Sequence, residues 1–80
     1  MSISKVQNIF QEIFEDPKLY IAPAMTAKDV ANWDSFNHIN LILALEEAFN
    51  VRFTTAEMAQ MSNVGELVVI LAKKGVSVSW

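Results

Sequence analysis

The chain has 80 residues, 52% of them hydrophobic and none a cysteine, and nine acidic against six basic side chains give it a formal charge of -3. That length supports one domain burying about 60% of the surface its unfolded chain exposes, which leaves no room for a deep enclosed active site. The missing cysteines exclude disulfides, thiolate metal sites and a cysteine nucleophile, and with no Lys/Arg cluster larger than Lys73-Lys74 a nucleic-acid backbone would find nothing to neutralise it.

In chain order, Val6, Ile9, Phe10, Ile13 and Phe14 recur at helical spacing with Lys5, Gln7, Gln11, Glu12 and Glu15 opposite, which predicts an amphipathic helix over residues 1–15. Asp16-Pro17 ends it, because a residue before proline is pushed out of the α region. This segment lacks the unbroken apolar stretch of a secretory signal, and no run approaches the ~18 apolar residues of a membrane span. A cytoplasmic monomer with no membrane insertion is therefore expected. A long loop follows over 16–33, containing PKLYIAPAMTAKDVANW, in which Leu19, Tyr20, Ile21, Met25 and Val30 are expected to pack across the helices. Trp33 reads as the anchor at its end.

The second helix is predicted over 34–50, starting at Asp34 or Ser35 and stopping at Asn50. A short third helix is expected over 55–61. A fourth spans 63–74 behind a Ser62-Asn63 cap and ends at Gly75. The tail over 75–80 alternates like a strand but has no evident partner, and so is expected to fray. The fold class is thus all-α, a small bundle of three main helices plus one short one.

On a wheel at about 100° per residue, Leu41, Ile42, Leu45 and Phe49 share one arc of the second helix, and His38 falls within it. Phe36, Ile39 and Leu43 share another, on the side of Ser35, Glu46 and Glu47. So small a domain cannot cover every face of a helix, so the second stripe reads as a docking surface with an acidic rim. Its partner would be basic.

Chemistry is sparse. His38 is the only histidine and Gly65 and Gly75 the only glycines, which leaves no pair for a metal site and no phosphate loop. Ser35 and His38, three apart, can approach each other on a helix, but no oxyanion-hole motif accompanies them, and catalysis by the pair is not expected. A serine at a helix start is usually just a cap, but Asp34 is an equally good cap one residue earlier, which would free the Ser35 hydroxyl at the positive end of the helix, a favourable place for a phosphate ester.

The run DSFNHINLILALEEAFNVRF, Asp34 to Phe53, resembles the acyl carrier protein family, whose signature is Asp-Ser-Leu at the start of the second helix followed by apolar positions, a Glu-Glu pair and a Phe. Helix order, the long first loop and the length agree over roughly Val6 to Leu71. The resemblance implies that Ser35 carries a covalent phosphopantetheine arm, that Asp34 and Phe36 are read by a phosphopantetheinyl transferase and its magnesium, and that Ile39, Leu43, Glu46 and Glu47 dock partners. Those partners are the transferase, an acyl-loading ligase or acyltransferase, and downstream biosynthetic enzymes; the protein itself is not an enzyme. Phe36 stands where Leu is usual, and Asn37 and Asn40 where fatty-acid carriers are often acidic, which weighs against bulk fatty-acid synthesis. Together with the Trp33 and His38 pair, this resembles carriers of specialised pathways loaded with amino acids, hydroxy acids or polyketide units. The alternative is a helical interaction module without covalent modification.

Overall fold

The computed structural model describes residues 3–80, which form four α-helices: α1 (Ile3–Ile13), α2 (Ser35–Phe49), α3 (Thr55–Gln60) and α4 (Val64–Lys73). The part of the first predicted helix on residues 1 and 2 lies outside the described residues.

Three of the helices start on a local cap, and three stop at a left-handed residue. The side chains of Asp34, Thr54 and Asn63 accept from the backbone N–H groups of Asn37, Glu57 and Glu66, so α2, α3 and α4 each begin on a side-chain cap. At the other ends, Glu15, Asn50 and Gly75 adopt left-handed backbone (φ 53°, 55° and 89°). In each case the N–H one residue further on returns to a carbonyl five residues back: Asp16 to Gln11, Val51 to Glu46 and Val76 to Leu71. That closure stops α1 at Ile13, two residues short of the predicted end, before Pro17 is reached.

α1 and α2 pack face to face, burying Val6, Ile9 and Phe10 against Leu41, Ile42 and Leu45, while α4 contributes Val64, Leu67, Val68, Ile70 and Leu71. Among the described residues no helix is long and apolar enough to cross a membrane.

The long loop is held chiefly by backbone accounting. Gly65 and Val64 donate their N–H groups, unpaired at the start of α4, to the carbonyls of Pro23 (2.9 Å) and Met25 (3.0 Å). A Cβ on Gly65 would sit 3.0 Å from the Pro23 oxygen, so any other residue would push the loop back by a few tenths of an ångström. On the other flank Gln7 Oε1 accepts from the Ile21 N–H, and Gln11 Nε2 donates to the Leu19 carbonyl. Leu19, Ile21 and Val30 are buried and Met25 packs against the core. Tyr20 departs from expectation. The extended chain that turns Leu19 and Ile21 inward directs Tyr20 outward, leaving it 74% exposed.

The tail is a second correction. Ser79 accepts from the Ile3 N–H at 2.8 Å, and Val76 and Val78 pack against the core. Its alternating pattern finds its backbone partner at the first turn of α1, where helix N–H groups have no intrahelical acceptor.

α2 separates cleanly into two apolar faces. Leu41, Ile42 and Leu45 are at most 3% exposed, whereas Phe36, Ile39 and Leu43 are 73%, 57% and 56% exposed. Leu45→Ala is expected to cost about 2 to 5 kcal/mol by opening a cavity, and Ile39→Ser and Leu43→Ser no more than about 1 kcal/mol. Thermal or urea melts of the three variants decide this; equal losses would mean that the second stripe is core.

Candidate functional site

The start of α2 concentrates the unusual chemistry. Trp33, only 8% exposed, is wedged against Phe10 (ring centroids 5.5 Å, edge to face) and Phe14 (5.8 Å). Its indole Nε1–H donates to His38 Nδ1 at 3.0 Å. Since Nδ1 accepts, the neutral imidazole carries its proton on Nε2, which donates to the Met58 carbonyl at 3.3 Å. Both ring nitrogens of His38 are thus engaged, and neither is free to act as a base toward Ser35.

Asp34 sits between this anchor and the helix. Its Oδ1 accepts from the Asn37 N–H at 2.9 Å and its carbonyl from the His38 N–H at 2.8 Å. Asn37 in turn donates from Nδ2 to the Asn32 carbonyl, where the backbone turns through a left-handed residue. With two first-turn amides thus satisfied, the N–H groups of Ser35 and Phe36 remain among those a helix start cannot pair internally. Ser35 is the first residue of α2, with its side chain exposed.

Beside it lies a groove of about 420 Å³, open to solvent. Trp33, Asp34, Ser35 and His38 form one side, and Met58, Ala59, Met61 and Ser62 the other. Sequence reasoning did not assign the second set to the site. What was legible is the element that carries them: Thr54 and Glu57 form a capping box at the start of α3, a pattern visible as Thr-x-x-Glu.

The two glutamates of the expected acidic rim differ in their surroundings. Glu47 is exposed, but the Glu46 side chain is only 14% exposed and turns into the α2–α3 connection, where Oε2 accepts from the Phe53 N–H at 2.9 Å. Arg52 Nη1 stands 4.0 Å from its other oxygen. The Glu46 backbone carbonyl also takes the Asn50 and Val51 N–H groups, so this residue closes the turn. α3 is further fixed by Lys74, whose Nζ lies 2.8 Å from Glu57 Oε1. That hydrogen bond, with the Thr54 N–H, holds the Glu57 carboxyl below its ordinary value of 4.5.

No protein-family model matches the chain, and no curated protein matches it. Among solved structures, the holo acyl carrier protein from Geobacter metallireducens is 32% identical, with a TM-score of 0.84 over 90% of this chain and 83% of that one. The chain belongs to the acyl carrier protein family. A candidate acyl carrier protein from Mycobacterium tuberculosis, 20% identical, shares the fold with a TM-score of 0.80 over 89% of this chain and 95% of that one.

In this member of the family the two adjacent glutamates have separate jobs. Glu46→Lys is expected to destabilise the domain by about 1 to 3 kcal/mol, because the buried Phe53 N–H loses a charged acceptor. Glu47→Lys, on the exposed face, should stay within about 0.5 kcal/mol. Denaturant melts of the two single variants check this; matching midpoints would return Glu46 to the surface rim.

Proposed function

We propose that this protein is a carrier and not an enzyme, and that Ser35 Oγ is the atom to which a phosphopantetheine arm is esterified. When attached, the arm supplies a flexible chain ending in a thiol, on which an acyl, aminoacyl or hydroxyacyl group is held as a thioester. The observation that carries the reading is the placement of Ser35, an exposed hydroxyl at the first position of α2 in a chain 32% identical to a holo acyl carrier protein.

The residues present fit such a group. A phosphodiester on Oγ would lie at the positive end of a 15-residue helix, beside the N–H groups of Ser35 and Phe36. The open groove alongside Ser35 gives the arm a path along the surface without disturbing the core. Asp34 uses one carboxylate oxygen as a cap and stays exposed, so it can meet the transferase and its magnesium. Phe36, Ile39 and Leu43 form the apolar anchor for that enzyme, for a loading ligase or acyltransferase and for later biosynthetic enzymes, with Glu47 as the acidic neighbour. Tethering to a small diffusing domain raises the cargo's local concentration at each docked active site. Neutral Asn37 and Asn40 favour a specialised biosynthetic pathway, and the setting is a cytoplasmic monomer.

Incubation with coenzyme A and a broad-specificity phosphopantetheinyl transferase should add the mass of one arm to the parent chain and none to Ser35→Ala. Because Asp34 keeps the cap, the alanine variant should lose at most about 1 kcal/mol of stability. An unmodified parent chain would favour a helical interaction module that works without covalent modification.

Docking is tested separately. Ile39→Ser and Leu43→Ser should be loaded several-fold more slowly than the parent while melting alike, because truncating a central apolar anchor commonly costs over 1 kcal/mol of binding. Unchanged loading rates would remove the second stripe from partner recognition.

A further inference from the structure

α3 is a six-residue helix with no fully buried side chain of its own. Its start is fixed by the Thr54–Glu57 capping box and the Lys74 ion pair, and the chain just before it by buried Phe53. Toward its other end, buried Met61 follows the helix, and the Met58 carbonyl receives His38 Nε2–H from α2. That carbonyl also takes the Met61 N–H, at a long 3.4 Å, so His38 is its second donor and the one that comes from another helix. His38 and Met58 also both line the groove beside Ser35.

We propose that His38 is a positioning residue: by donating to Met58 it holds the far end of α3 against α2, and so keeps the groove wall beside Ser35 in the shape that a loading enzyme meets. The indole of Trp33 is the second half of the device, because its N–H occupies Nδ1 and fixes the proton on the nitrogen that faces Met58. The inference rests on the carrier reading of Ser35. Without the latch, α3 spends part of its time away from α2, and the apparent affinity for a partner falls by the fraction of molecules still closed. The loading chemistry itself is untouched, since neither ring nitrogen faces the serine hydroxyl.

Two half-variants separate the contacts. In His38→Asn, Oδ1 takes the place of Nδ1 and can still accept from Trp33, but nothing reaches Met58. In His38→Gln, Nε2 can still donate to Met58, while the Trp33 acceptor is lost. His38→Phe loses both. Amide hydrogen exchange of the unmodified protein should show protection of α3 falling about three- to ten-fold in the Phe and Asn variants, the range set by one hydrogen bond, with α1 and α4 unchanged. His38→Gln should stay near the parent. In transferase kinetics with coenzyme A, KM for the carrier should rise at least about two-fold in the Phe and Asn variants with kcat steady, and Gln should restore it. The Trp33 indole N–H resonance should remain in place in His38→Asn, which separates the latch from the seat of Trp33. If His38→Asn matches the parent while His38→Gln resembles His38→Phe, the histidine only seats Trp33 and the proposal is overturned. Equal KM and protection in all four proteins overturn it as well. No loading of the parent chain would sink the carrier reading instead, and the order of α3 protection would still decide whether His38 holds that helix.

Discussion

Burial of Trp33 is the constraint from which the rest of the structure follows. A loop of roughly twenty residues must deliver the chain to the start of α2 in one orientation, and loops of that length are rarely ordered without side chains of their own to hold them. The indole does this by lying edge-on to Phe10, beside Phe14 and within hydrogen-bonding distance of His38. Ring contacts of this kind add about 0.5 to 1.5 kcal/mol beyond the area they bury. Asp34 and Ser35 follow immediately, so the cap and the exposed hydroxyl inherit their positions from an aromatic cluster on α1. The catch at the other end of the loop is polar: Pro23 and Met25 satisfy amides of α4 that have no helical partner.

From that fixed start, α2 divides its labour by face. One stripe, with Leu41, Ile42 and Leu45, supplies the core that an 80-residue chain cannot do without. The other leaves Phe36, Ile39 and Leu43 in solvent, the exposed apolar surface on which the proposed docking rests. Under the proposed function, these exposed side chains lie on the same helix as Ser35, so a partner covering the stripe would also be brought to the serine. In the proposed carrier role, orientation is what the domain contributes.

α3 is the least self-sufficient element, too short to be stable alone, and the structure compensates with contacts from every neighbour. Glu46 closes the approach from α2, Lys74 reaches from the end of α4 to Glu57, and His38 meets the Met58 carbonyl. Few of these contacts are apolar. Buried Phe53 and Met61 flank it and Met58 packs against the core, but a helix with no fully buried side chain of its own can move at lower cost than one that is buried.

Helices, caps and the two stripes of α2 were legible because they depend on neighbours three and four residues apart, whose geometry the helix itself imposes. Ser35 and its capping neighbour Asp34 belong to that class. What only the tertiary structure decided is the fate of polar groups whose partners lie far along the chain. Glu46 reads as a rim charge until the turn brings the Phe53 N–H, seven residues away, to its carboxylate. Gln7 and Gln11 read as solvated until the loop crosses them, the tail reads as unpartnered until the first turn of α1 offers an N–H, and His38 gains its second partner 20 residues away. Such bonds depend on how the apolar faces dock, since it is the packing of helices that decides which donors and acceptors must find each other.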